Sequence, residues 1–198
     1  MRKVNTLSEK QLFFQRWLKT PLTLGAILPS SESLSRFMAH HVASETFSAI
    51  QEGGLVLEIG AGTGAFTHAL LEASIPPKQL VSVELDPSLF LFLESRFPDV
   101  QTVCGDAQNL RELLPEKILS NISCVVSGIP MVTLPRDVQK NIIHEAFSIL
   151  PQNGTFFQFT YSPFSSIPTH LYSLKKRRIG TVFTNFPPAT VWAYSKAV

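Results

Sequence analysis

Cysteine is scarce: the 198-residue chain has only Cys104 and Cys124, and neither lies in a CxxC pair or beside a spaced pair of histidines. That excludes a disulfide scaffold and a zinc knuckle, and favours a reducing compartment. Long apolar runs are missing too. No stretch approaches the ~18 uninterrupted apolar residues that a bilayer crossing needs. The opening MRKVNTLSEK lacks the apolar core and small-residue cleavage site of a secretory leader. The chain is therefore expected neither to cross a membrane nor to enter the secretory route. His40, His41, His68, His144 and His170 are scattered over different segments, so no metal cluster is expected. Charged residues are somewhat few, at 16%, but 44% hydrophobic content excludes disorder and suits one well-filled core, so a single domain over 1–198 is expected.

The net charge of +2 conceals an uneven distribution. Residues 1–36 carry six basic and two acidic side chains, residues 37–174 six and thirteen, and residues 175–198 five basic and no acidic ones. Cationic ends around an anionic middle point to an anionic polymer or membrane surface as partner, or to solvated faces at both ends.

From Leu55 onward, short β-rich runs alternate with helical stretches. LVLEIG, LVSVEL, VQTVCG, ISCVVSG and GTFFQFTY are the runs; Thr63 to Ala73, Pro87 to Arg96 and Pro135 to Leu150 are the helices. That rhythm predicts βαβ units and a parallel sheet. RIGTVFTNF and ATVWAY, separated only by Pro187 and Pro188, read as an antiparallel hairpin with the prolines in its connection. Two helices are expected upstream, one around Ser8 to Lys19 and one opening near Ser30 to Ser33 with Leu34, Phe37, Met38 and Val42 on one face. Pro21, Gly25 and Pro29 make the stretch between them an ordered connector.

The run LVLEI leads into Gly60, Ala61, Gly62, Thr63 and Gly64 and then a helix. Glycines there permit positive φ and close backbone approach, as a nucleotide cradle requires; an ordinary glycine turn would look the same in isolation. Glu84 stands twenty residues beyond Gly64, at the end of the next run with Leu85 beside it, where a carboxylate can accept from both ribose hydroxyls. Glu58 would repel a phosphate, and the turn lacks the GK[ST] of a phosphate-binding loop. A pocket holding Glu58, Glu84 and Asp106 therefore suits a cationic, phosphate-free nucleoside such as S-adenosylmethionine. Asp106 could accept from an adenine amino group, with Ala107 leaving room for the ring, or simply cap the helix that follows.

Beyond the generic glycine motif, EIGAGTG, VELDP, GDA, SGIP, QFTY, NFPPATVW and the early GAILPSS together resemble the bacterial phospholipid N-methyltransferases of the soluble, membrane-associating type, from about Phe14 to Tyr194. The resemblance implies a class I (Rossmann-like) α/β fold with a seven-stranded, mostly parallel sheet. It implies S-adenosylmethionine as cofactor and methyl transfer to the amine of phosphatidylethanolamine, through mono- and dimethyl forms to phosphatidylcholine. The first half is similar to the rRNA adenine dimethyltransferases as well. Those enzymes carry Asn-Leu-Pro-aromatic after the fourth strand, to hold and stack a base; here Ser127, Gly128, Ile129, Pro130 and Met131 offer neither group, and no helical RNA domain is expected beyond Val198. Nucleic acid is the disfavoured partner. A membrane-bound module that retains the pocket without turnover is the non-enzymatic alternative.

In the lipid reading Tyr161 orients the amine and faces a methylated ammonium with its ring, unless it is an ordinary core tyrosine. Ser127 and Pro130 floor the site, Asn185 closes it from the hairpin, and Ser30 joins the acceptor site or caps the second helix. The first helix, within residues 1–20, sets Phe13, Phe14, Trp17 and Leu18 against a polar side with Arg16 and Lys19, so it lies in the headgroup region or packs on the domain. Lys175, Lys176, Arg177 and Arg178 are read as a second cationic patch on an anionic surface. A monomer, cytoplasmic and peripheral to the inner face of the membrane, is expected.

Overall fold

The computed structural model describes residues 32–185 and 187–197. Helix α1 (Glu32–Gln51) comes first and buries Leu34, Met38 and Val42, the stripe read from the sequence. The chain then alternates: β1 (Leu55–Ile59), α2 (Ala65–Glu72), β2 (Leu80–Glu84), α3 (Pro87–Arg96), β3 (Gln101–Cys104), the short α4 (Leu110–Leu113) and α5 (Glu116–Leu119), β4 (Ile122–Ser127), α6 (Arg136–Ile149) and β5 (Thr155–Thr160). It ends in the strands β6 (Leu174–Val182) and β7 (Ala189–Lys196).

One seven-stranded sheet results, in the order β3-β2-β1-β4-β5-β7-β6. The first five strands pair in parallel, and β7 runs antiparallel to both β5 and β6. Burial on both faces explains why the inner strands read as nearly continuous apolar runs. Alternate residues serve two cores: Val56, Val126, Phe157 and Val191 pack under α1, α2 and α3, while Leu57, Val125, Phe156 and Tyr194 pack under α4, α5 and α6.

Helix starts follow local chemistry. Asp86 caps α3, its carboxylate accepting from the amides of Ser88 (2.8 Å) and Leu89 (3.2 Å), and Pro87 occupies the first turn, where its missing N–H costs nothing. Helix α2 begins instead at Gly64 with φ of 81°. A Cβ there would stand 2.4 Å from Phe97, so glycine is required by both conformation and packing.

Chain order reverses between β1 and β4: from β1 the chain steps outward to β2 and β3, from β4 the other way to β5. Such a switch opens a crevice at the carboxyl ends of the two strands, where open α/β sheets bind ligands. In one respect the hairpin differs from expectation. Strand β6 begins at Leu174, so the four consecutive cations lie in an edge strand, all exposed. Strand alternation sends Lys176 and Arg178, paired in register with Tyr194 and Trp192, to one face and Lys175 and Arg177 to the other. They form a two-sided cationic edge and not one patch, the kind of charged rim that keeps an open sheet edge from pairing with another chain.

Candidate active site

At the crevice, the glycine turn hangs from β2 and β4. Gly60 donates to the Val83 carbonyl (2.8 Å), Gly128 donates to the Ile59 carbonyl (2.9 Å), and the Arg96 guanidinium holds the Thr63 carbonyl at 3.1 Å. A Cβ on Gly60 would meet the Ile129 side chain at 2.5 Å, and one on Gly128 would meet the Gly60 carbonyl oxygen at 2.5 Å. The two turns therefore touch backbone to backbone. Gly62 differs: its φ is 59°, yet nothing lies within 4 Å of where its Cβ would stand. Its glycine is needed for conformation and leaves open space above the turn.

Glu84 ends β2 beside that space. One carboxylate oxygen accepts from the Gly62 amide (2.7 Å), the other from the Asp86 amide (2.9 Å). Burial raises the pKa of Glu84, opposed by those backbone donors. Leu85 supplies a third backbone donor, and the carboxylate, with about four lone-pair sites, keeps capacity for a further one. Leu85 is half-buried beside it, Ala61 is buried and Thr63 exposed.

Glu58 does not line the space as the sequence suggested. It is fully enclosed beneath the turn, and one oxygen accepts from the hydroxyls of Thr67 (2.6 Å) and Ser82 (2.8 Å). Its other oxygen is buried without a partner. Burial pushes its pKa up to about 7, against the pull of the two hydroxyls. An enclosed carboxylate cannot be a direct contact, so Glu58 acts through the turn, by its field and by anchoring α2 to β1 and β2. Asp106 also takes the plainer of its two roles in this geometry: it caps the turn at Ala107–Asn109, accepting from the amide of Gln108 (2.9 Å) and its side chain (3.0 Å). It remains half-buried, next to the buried Ala107.

On the other side of the crevice, Ser127 is sealed under the Gly128–Met131 turn, its hydroxyl accepting from the Ile129 amide at 3.3 Å, and Pro130 is buried. Tyr161 and Asn185, assigned separately from the sequence, come together. Their side chains share a hydrogen bond, and Asn185 also donates to the Pro187 carbonyl at 2.6 Å. Tyr161 stands edge-on to Phe159, centroids 5.6 Å apart, and burial raises its pKa so that the phenol keeps its proton at neutral pH. Ser30, Phe13, Phe14, Arg16, Trp17, Leu18 and Lys19 lie outside the described residues.

Sequence reasoning missed Gln158. It is fully buried on β5, and its amide donates to the carbonyls of Ile129 and Phe159, both at 2.9 Å, fixing the turn after β4. A buried glutamine within an apolar run, TFFQFT, was the available signal. Thr67 and Ser82 left no comparable mark, because their shared partner Glu58 becomes apparent only in three dimensions. Neither cysteine is paired, Cys104 being exposed and Cys124 buried, and no cluster that could hold a metal occurs among the described residues.

Residues 10–107 match the family model described as ribosomal RNA adenine dimethylase. An ornithine lipid N-methyltransferase of Singulisphaera acidiphila is 28% identical over 183 residues, covering 90% of this chain and 91% of the relative. A ribosomal RNA small subunit methyltransferase A of Chlorobaculum parvum is 41% identical over 59 residues, covering 30% of this chain and only 20% of the relative. The chain is an S-adenosylmethionine-dependent methyltransferase. Its fold agrees: a TehB-like methyltransferase from Corynebacterium glutamicum superposes with a TM-score of 0.55 at 16% identity, over 94% of this chain and 97% of the other.

The methyltransferase's crevice fits its cofactor on two observations, the empty space over Gly62 and the spare acceptor capacity of Glu84 beside it. Glu84 would hold the ribose hydroxyls and the Gly60–Gly64 backbone the amino-acid end, with the Glu58 charge below. When bound, the cofactor supplies a methyl group on a cationic sulfur.

Proposed function

We propose that the protein methylates the amine of a membrane lipid, with phosphatidylethanolamine as the acceptor first expected and an ornithine lipid as the acceptor suggested by the relative's name. One observation carries this reading. The lipid-methylating relative aligns along 90% of the chain and 91% of its own length, whereas the ribosomal RNA family model stops at residue 107, before β4 begins. The likeness to the lipid enzyme thus extends over more of the chain than the likeness to the ribosomal RNA enzymes, whose longer matches cover 60% of it. The turn after β4 supports the same reading, since Ser127–Met131 carries no aromatic ring to stack a base and no asparagine to hold its amino group.

Methyl transfer is an in-line displacement, so the chain's task is to align the acceptor nitrogen, exclude water and keep the nitrogen unprotonated. In this proposal Tyr161, steadied by Asn185, orients the amine through its hydroxyl and meets a methylated ammonium with its ring face. Gln158 acts behind the site as a positioning residue, holding the Ile129 carbonyl so that Gly128 and Pro130 keep their places. The proton leaves the ammonium to water before attack. The enzyme works at an anionic membrane surface on the cytoplasmic side, with the segment 1–20 and the β6 cations as attachments. No helix among the described residues is long and apolar enough to cross a membrane.

The test is thin-layer separation of lipids from cells expressing the protein or its Glu84→Ala variant. A methylated aminolipid present only with the unaltered chain supports the proposal, and its mobility tells phosphatidylethanolamine products from ornithine lipid products. Identical lipid profiles, with methylated adenine in ribosomal RNA instead, would refute it.

A further inference from the structure

Among the described residues, seven large apolar side chains are exposed, and they divide by location. Phe47, Leu91 and Phe92 lie along helices, and Leu171 precedes β6 at the amino edge of the sheet. The other three are Val132, Phe164 and Phe183, exposed by 59, 77 and 79%. Val132 is in the turn after β4, Phe164 in the segment after β5, and Phe183 in the connection between β6 and β7. Because β4, β5, β7 and β6 are consecutive in the sheet, these loops follow one another along its carboxyl edge. That edge also carries the glycine turn and Tyr161.

The two phenylalanines sit on fixed supports. Phe164 donates its amide to the Ser162 hydroxyl at 3.1 Å. Phe183 stands two residues from the buried Asn185, which ties its turn to Pro187 and to Tyr161. The charge of the wing is one-sided: from Ala146 to Val198 the chain has no Asp or Glu, while Lys175, Lys176, Arg177, Arg178 and Lys196 lie in or opposite the first half of β6, away from the rim. Among the described residues only Arg177 of the four β6 cations pairs with a carboxylate, Glu45 of α1.

We infer that Val132, Phe164 and Phe183 form an apolar rim that enters the monolayer of an anionic membrane, setting the mouth of the active site against the lipid. The occupant is a lipid surface because the apolar tips stand on the sheet edge that carries Tyr161, where the acceptor enters, and because the wing has no carboxylate to repel anionic headgroups there. An acceptor amine reaches Tyr161 from this side without its acyl chains leaving the apolar phase. The inference rests on the lipid-amine reading and adds to it the route by which that lipid arrives.

The test uses the full chain with vesicles of mixed phosphatidylglycerol and phosphatidylethanolamine. In Phe164→Ser/Phe183→Ser, vesicle partition is expected to fall about tenfold or more, since two phenyl groups no longer leave water. Cofactor affinity, measured by calorimetry, should stay at the wild-type value and certify the fold. In Phe183→Trp, brominated lipid is expected to quench the introduced indole beyond the wild-type signal. Unchanged partition in the double variant, or no added quenching while the protein is bound, would overturn the inference. So would an indole emission already blue-shifted without vesicles, or one that shifts with protein dilution, because the rim would then be covered by the chain itself or by a second copy. Partition and quenching are read without turnover, so the rim can hold even if no lipid is methylated, and lipid methylation can hold if the rim fails.

Discussion

The two halves of the sheet are built from opposite materials. The half made of β1, β2 and β3 carries buried or half-buried carboxylates, Glu58, Glu84 and Asp106, around a backbone cradle. The wing made of β5, β7 and β6 has no carboxylate of its own and presents cations and aromatic tips. The first suits a small cationic ligand held by donors and acceptors, the second a large anionic and apolar surface. The crevice at the β1–β4 switch is where the two requirements meet, and the proposed function has the nucleoside enter from one side of it and the membrane lipid from the other.

The sharpest way to break this comparison is to remove a carboxylate from the first half. Glu84→Ala leaves the Gly62 and Asp86 amides without their acceptor and should weaken cofactor binding by about a hundredfold or more, at roughly 1.5–3 kcal/mol for each charged hydrogen bond. Vesicle partition should be unaffected. Calorimetry and vesicle sedimentation on the same preparation check both halves, and a loss of vesicle binding would show that the halves are not separate.

Glu58 gives a pH signature. Its folded pKa of about 7 lies above the ordinary 4.5, so the native state takes up this proton before the unfolded chain does. Stability therefore grows as pH falls from about 7 towards 4.5, and the cost of the buried charge is complete above 7, on the order of 3 kcal/mol. In Glu58→Gln that part of the pH dependence should vanish in denaturant titrations. A cationic cofactor above the turn favours the ionised form, so its binding near pH 6 should release a proton, visible as buffer-dependent heats of binding.

The glycines sharpen the comparison within the cradle. Gly64→Ala puts a methyl group against Phe97 at positive φ and should cost about 2 kcal/mol or more of stability. Gly62→Ala meets open space, should cost about 1 kcal/mol from its φ alone, and should weaken the cofactor instead. Thermal melts and calorimetry separate the two outcomes. The smallest effects belong to the wing's charges: because they stand down β6 from the rim, Lys176→Ala and Arg178→Ala should each weaken vesicle binding by less than about 1 kcal/mol at low salt, and by less again at high salt. Lys176 also lies over the Trp192 ring at 5.7 Å, so its loss should slightly perturb indole fluorescence.

The same contrast explains what could be read in the sequence. Strands buried on both faces announce themselves as apolar runs, and each of the five predicted from Leu55 to Tyr161 lies where LVLEI, LVSVE, QTVC, ISCVVS and TFFQFT place it. Pro87 and the glycine turn fixed the starts of α3 and α2 just as directly. The edge strand β6 was harder, because four cations in a row look like a loop; pairing with β7 supplies the order that side chains alone did not. Around the crevice, the placement of Glu84 and Tyr161 at strand ends and of Asn185 in the hairpin connection was legible from the apolar runs that flank them. Gln158 and the seating of Glu58 on Thr67 and Ser82 were not, since those partnerships join residues distant in the chain and exist only once the strands are side by side.

The central claim is that a cofactor in the acidic half methylates an amine delivered through the cationic, apolar wing. Its most direct test is transfer of a labelled methyl group by the purified full chain, offered aminolipid vesicles and ribosomal RNA together. Label in the lipid fraction, absent with Glu84→Ala and reduced with Phe164→Ser/Phe183→Ser, is the predicted result; label in the RNA with none in lipid would contradict the account.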